Sequence, residues 1–265
     1  MISPLFKRDM TSCIKVFVIL FAVICLYTTV IIYMYNPELS DMLSDYQKAL
    51  PEVMSAVGMT GIATNLLEWI QIYLYGFIML LFPLIFIIIL VQKMVMGYID
   101  SGSMASLLAT PNSRGQIIRT QVVAAVFWVT ILIGAVTVVG ILSSEILFPG
   151  ELDIKRYLLL NLSTLLVQLD ICGITFLAAV ICSEVKYYYT LGAGIPILFF
   201  LLRMLSNMGE KLGHLKYVII YTLLPAGQIV SGEGGYAGYH LLMALIAAVL
   251  FGGGIWWFRR RDLSL

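Results

Sequence analysis

Charge is scarce in this 265-residue chain: only 12% of its residues are Asp, Glu, Lys or Arg, against about a quarter in an ordinary soluble domain. Histidine is scarcer still, with His214 and His240 alone, and neither HExxH nor any other paired-histidine spacing is present to seat a metal. No glycine is followed by lysine, so the chain has no GxxxxGK[ST] loop to cradle a nucleotide's phosphates. A GxSxG serine elbow is missing as well. The four cysteines (Cys13, Cys25, Cys172, Cys182) lie in or beside apolar runs without a CxxC pair, which reads as small buried hydrophobes. These absences leave an enzyme without its usual parts, and a net charge of +1 gives no electrostatic reason to expect a nucleic-acid partner. What is abundant is apolar surface: 61% of the residues are hydrophobic and the mean hydropathy is +0.98, the balance of an integral membrane protein.

Six apolar stretches are long enough to cross a hydrocarbon core of about 30 Å: residues 16–35, 69–92, 121–143, 157–182, 188–206 and 239–258. The first follows Lys7, Arg8 and Lys15 like a signal peptide, but no small-residue cleavage site comes after it, so it reads as a retained span. Residues 217–224 are apolar but too short to cross, and Pro225 with a glycine-rich stretch closes them, which suits a re-entrant or interfacial segment. Six crossings put both termini on one side. With that side cytoplasmic, ten of the sixteen basic residues are inside: Lys7, Arg8, Lys15, Lys93, Arg114, Arg119, Lys186, Arg259, Arg260 and Arg261. Ten of the fifteen acidic residues fall outside: Glu38, Asp41, Asp45, Glu52, Glu68, Glu145, Glu151, Asp153, Glu210 and Glu233. Trp69, Trp256 and Trp257, with Tyr187, Tyr188 and Tyr189, stand at span ends, where amphipathic rings favour the headgroup level. Neither long loop can hold a domain with its own core, so residues 1–265 form a single all-α, polytopic transmembrane domain.

The loop after the second span carries the most information. Asp100 or Ser101 can cap a helix there, and Met104, Leu107 and Leu108 fall at i, i+3 and i+4 on one apolar face. Pro111 disfavours a helical Thr110 and ends the element, so the pattern predicts an amphipathic helix over 102–110, about two and a half turns long. Such a helix can lie on lipid or seat in a soluble partner.

The string Gly102 to Arg114, GSMASLLATPNSR, resembles the Gly-Thr…Leu-Leu…Pro-x-Ser-Arg motif in the first cytoplasmic loop of the permease subunits of second-class ABC exporters. That family exports drugs, peptides, bacteriocins and polysaccharides. The ending Trp257 to Leu265, an aromatic followed by Arg-Asp-Leu and a terminal apolar residue, resembles the family's usual C-terminus, and Leu5 to Asp9 is similar to its N-terminal elbow helix. The resemblance implies that residues 102–110 are a coupling helix, with Asp100, Gly102, Met104, Leu107, Leu108, Pro111 and Arg114 engaging a cytoplasmic ATPase subunit present in two copies. ATP and Mg would then be bound by that partner, with no cofactor on this chain. It further implies a second permease subunit, identical or similar, and residence in the cell's inner membrane with both termini cytoplasmic.

Within the spans, Asp170 lies near the middle of the fourth, about 20 Å from either end at 1.5 Å per residue. An aspartate there costs about 2.5–3.5 kcal/mol to insert, while the fourteen Leu, Ile, Val and Phe of that span return about 6 kcal/mol. The span inserts, and Asp170 is a candidate for the translocation path or for an interhelical hydrogen bond. Asn161, Thr164, Gln168 and Thr175 follow one stripe; Asp170 stands about 200° round from Gln168 and so serves another neighbour. Arg203 reads as snorkelling to the interface, Pro83 and Pro196 as kinks, and Gly252, Gly253 and Gly254 as room for close helix approach. Spans rich in Leu, Ile, Phe and Met with few fixed charges favour an amphipathic peptide as cargo, in toxin or bacteriocin export or self-protection. The alternatives are a glycan or lipid-linked exporter and a non-transport accessory or immunity module.

Overall fold

The structure is a computed structural model that describes residues 2–36, 49–208 and 210–261. The acidic residues Glu38, Asp41 and Asp45 and the ending Asp262 to Leu265 lie outside the described residues. Six helices are long and apolar enough to cross a membrane, and no strand occurs among the described residues. They are α1 (Ser3–Tyr33), α2 (Ile78–Asp100), α4 (Arg114–Leu147), α5 (Ile154–Ile181), α6 (Val185–Asn207) and α7 (Tyr236–Arg260), with a short α3 (Ser103–Leu108) between the second and third spans.

Five of the six spans are longer than their apolar runs because the flanking polar residues continue the helix into the headgroup region. The second is instead displaced, covering Ile78–Asp100 where 69–92 was expected, because residues 66–75 form separate short turns and the helix restarts after Phe77, whose φ of -135° is not helical. The largest extension is in α1. The stretch expected as a separate elbow is continuous with the first span, since nothing beyond Pro4 breaks the helix and the hydroxyls of Thr11 and Ser12 fold back onto the carbonyls of Lys7 and Asp9. Helix α4 opens with a capping box: Ser113 Oγ accepts from the Gln116 N–H while Gln116 Oε1 accepts from the Ser113 N–H.

Helices α2 and α5 form the centre, with two-thirds of their most apolar windows buried, whereas α1, α6 and α7 bury 17%, 22% and 28% of theirs. The exposed faces of these three, among them Ile19, Leu26, Leu198, Leu201, Leu245 and Val249, are free to meet lipid or another subunit. Against α5, helix α7 keeps a constant offset of 77 positions at Ser163–His240, Asp170–Ala247 and Gly173–Leu250. The two helices therefore run in the same direction, as they must if α6 crosses back between them.

Both described ends of the chain lie together with the 101–113 loop. The Ile2 N–H donates to Thr120 Oγ1 at 2.9 Å, and Arg114 Nη1 donates to the Arg261 carbonyl at 2.8 Å. At the far end, the segment between α6 and α7 forms two short 3-10 helices (Glu210–Val218 and Ile220–Leu223) and one α-helical turn and a half (Ala226–Ser231). Ile219, Tyr221, Ile229 and Val230 pack inward while Tyr217 and Val218 stay exposed, so this segment caps the bundle without crossing it.

Interfacial aromatics divide into two groups. Trp256 and Trp257 are exposed as the belt argument expects. Trp69 and Tyr188 are not: each spends its polar tip on a carbonyl of a neighbouring element, Trp69 Nε1 on Ile31 at 2.8 Å and Tyr188 OH on Ile88 at 2.6 Å. Burial and a buried acceptor together outweigh the headgroup preference of these rings.

Candidate functional site

Two places in this fold concentrate polar chemistry: the loop at the terminal end and the face of α5.

The loop is assembled by backbone geometry. Helix α2 ends at Asp100, and Gly102 takes a left-handed φ of +67°, a conformation that favours glycine and turns the chain into α3. The helix is six residues long, shorter than the predicted 102–110, because Gly102 lies outside it and Thr110 precedes Pro111. No side chain caps its start. Asp100 is directed elsewhere, its Oδ1 accepting the Val185 N–H at 3.2 Å at the beginning of α6. The expected apolar face divides as well. Met104 is fully buried and anchors α3 to the bundle, while Leu107 and Leu108 are half-buried at its rim. Leu107 lines an apolar hollow of about 300 Å³ with Ile2, Pro4, Leu5 and Ile117.

Arginines tie the helix ends around this loop. Arg114 reaches the Arg261 carbonyl, and Arg261 Nη1 in turn donates to the carbonyls of Val180 at 2.7 Å and Cys182 at 3.0 Å. The ends of α4, α5 and α7 are thereby joined in series. Beside them, Tyr98 OH donates to Asp9 Oδ1 at 3.0 Å, and the Arg8 guanidinium sits 5.0 Å from the Tyr98 ring centroid. Sequence reasoning missed this α1–α2 latch, because Asp9 and Tyr98 are 89 positions apart and no spacing pairs them.

On α5 the polar residues Asn161, Ser163, Thr164, Gln168, Asp170 and Thr175 are all buried. Asn161 Oδ1 accepts from Tyr75 OH at 2.7 Å. Ser163 Oγ and His240 Nε2 lie 2.6 Å apart on the α7 side. Gln168 Nε2 donates to the carbonyls of Met79 at 3.1 Å and Leu80 at 3.3 Å. Met79 stands four residues before Pro83, whose missing N–H leaves that carbonyl without its helical donor, and Gln168 supplies the replacement. Asp170 faces the other way, against the Ala247 backbone of α7, fully buried and with neither carboxyl oxygen in a hydrogen bond. Gln168 and Asp170 thus serve different helices, as their angular separation requires.

Small residues let the helices approach. At Gly140 an added Cβ would meet the Tyr157 hydroxyl, at Gly173 it would lie 2.8 Å from Leu250, and at Gly254 it would lie 2.9 Å from Phe176. Gly252 and Gly253 face open space, so only the third glycine of that run makes a close approach. Arg203 differs from its expected role: its guanidinium lies 5.8 Å from the Tyr221 ring centroid with Nη1 buried, because the segment between α6 and α7 covers it.

Among the described residues no group of three His, Cys, Asp or Glu side chains is placed to hold a metal. Six helices long and apolar enough to cross a membrane, packed around a largely apolar core, make this a multi-pass α-helical membrane protein. Compared with protein-family models, with curated proteins and with solved structures, the chain has no match.

Proposed function

We propose that the chain is the membrane-spanning permease subunit of an ATP-driven exporter of the ABC type, with an amphipathic peptide as its cargo and the ATPase on a separate cytoplasmic subunit. The observation that carries this reading is the rim of α3. Leu107 and Leu108 stand half-exposed at the terminal end, on a helix pinned from behind by Met104 and enclosed by the motif that resembles the exporter family. A short helix held this way moves as a unit with α2 and α4: Gly102 joins it to the first, and the Ser113–Gln116 capping box starts the second directly after it. A push on Leu107 and Leu108 by a partner's groove therefore reaches α2, one of the two central helices, and through Gln168 it reaches α5.

On this reading, Asp170 is the polar point along the path, and the exposed faces of α1, α6 and α7 are available to a second permease subunit. The test is a double substitution, Leu107→Asp with Leu108→Asp. It leaves the protein inserted and folded but abolishes copurification with the ATPase subunit, or substrate stimulation of ATP hydrolysis, because unpaired charge in an apolar groove costs several kcal/mol. Normal coupled transport by the double variant overturns the reading and makes α3 a lipid-surface helix.

A further inference from the structure

We propose that the terminal end of the bundle carries a binding site for the phosphate of a net-anionic phospholipid, in the hollow between the start of α4 and the end of α7. The hollow has a volume of about 300 Å³ and is lined by Ser113, Arg114, Gly115, Gln116, Arg119 and Arg259. Three of the six are arginines and none is acidic. Arg259 is brought in from α7 and packs beside Gly115, where an added Cβ would lie 3.5 Å from Arg259 Cδ, an ordinary contact distance. Neither Arg119 nor Arg259 makes an ion pair or hydrogen bond with any described residue, so both forks are free for an outside acceptor. Arg114 spends Nη1 on the Arg261 carbonyl, which holds its guanidinium in place at the mouth.

A planar guanidinium matches the oxygens of a phosphate in pairs, and two free guanidiniums beside a third held by a carbonyl, with no carboxylate in the lining, attract an anion strongly. The depth in the membrane says which anion. Trp256 and Trp257, 52% and 44% exposed, precede Arg259 by less than one turn, and exposed tryptophans mark the headgroup level. The arginines therefore stand where lipid phosphates are, between two helices, in the kind of basic pocket that takes anionic headgroups. This assignment rests only on the chain's being a membrane protein and is independent of the exporter reading.

The exposed tryptophans also provide the assay, since Trp69 and Trp128 are only 2% and 6% exposed and report little from the bilayer. The full-length protein is reconstituted in phosphatidylcholine vesicles, and a fraction of the lipid is replaced by brominated phosphatidylglycerol or brominated phosphatidylcholine. Tryptophan quenching then gives the relative occupancy of the two. Wild type is expected to favour phosphatidylglycerol, and R119Q with R259Q to lose that preference by about fivefold per arginine removed. R119K with R259K keeps the charge and retains most of it, which separates loss of the site from loss of the fold. K155Q, an exposed lysine at the far end, leaves the preference unchanged. Equal preference in wild type and R119Q/R259Q overturns the proposal in favour of diffuse surface charge. Loss of the wild-type preference on adding 10 mM inorganic phosphate, at constant ionic strength, assigns the hollow to free phosphate and also overturns it. So does displacement of the lipid by a protein partner's acidic surface without any prior preference among lipids.

Discussion

Gln168 offers the sharpest physical test of the core. Its side-chain amide donates to the Met79 carbonyl at 3.1 Å, and Pro83 has removed that carbonyl's own helical donor. Gln168→Leu leaves the Met79 oxygen buried and unpaired. In water-soluble cores an orphaned acceptor costs about 1–3 kcal/mol. Interhelical hydrogen bonds in membranes average about 0.6 kcal/mol and reach about 1.7, because the inserted but unpacked helices also find partners. One gain offsets the loss: Gln168 Oε1 has no partner in the native structure, and leucine removes that burden. The net expectation is destabilisation by about 1 kcal/mol, small enough that a single variant is weak evidence. Pro83→Ala makes it decisive. Alanine restores an N–H to Met79 and makes Gln168 redundant, so Gln168→Leu should cost markedly less in the Pro83→Ala background. The coupling energy expected from such a shared acceptor is about 0.5–1 kcal/mol. Unfolding of the four purified proteins by denaturing detergent in mixed micelles, followed by far-UV circular dichroism, measures it. Equal costs in the two backgrounds would falsify the claim that glutamine replaces the donor that proline removed.

Three further outcomes are expected. Gly140→Ala and Gly254→Ala should lose about 1–3 kcal/mol from overpacking against Tyr157 and Phe176, whereas Gly252→Ala and Gly253→Ala, facing open space, should be neutral or gain up to about 1 kcal/mol of helix propensity in the same unfolding assay. Asp170→Asn should fold as wild type, since a neutral polar group suits the seam beside Ala247; if the exporter proposal holds, undiminished transport by this variant supports a neutral packing role, and loss of transport at normal expression assigns the role to charge or a proton. With the termini inside, an impermeant thiol reagent applied to intact cells should label Glu233→Cys and leave Ser106→Cys unlabelled, both positions being exposed. Gly232 is a poor site for that experiment, because its φ of +79° strains any side chain and the Arg156 guanidinium would have to shift to admit one.

Composition and patterning alone determined that this is an all-α membrane protein with six crossings. Backbone groups in hydrocarbon must be satisfied within each segment, so apolar length translates directly into helices. The start of α4 escaped that reading, since the apolar run bounds the span only at residue 121, although Ser113 and Gln116 stand at the three-residue spacing of a capping box. The divergence of Gln168 from Asp170 was legible, since helical angle depends on sequence spacing alone. What only the tertiary structure decided are matters of who faces whom. The apolar spacing of Met104, Leu107 and Leu108 does not say which of them is anchor and which is rim, and that follows from the contact of α3 with the bundle. Pro83 is visible as a helix breaker, but its compensation by a glutamine 85 positions later is not. Asp100 looks like a local cap and instead holds the start of α6; Trp69 and Tyr188 look interfacial and instead donate inward. For Pro83, Trp69 and Tyr188 a short-range preference worth a few tenths of a kcal/mol to about 1 kcal/mol yields to a buried polar group that needs a partner, and that partner lies on another helix.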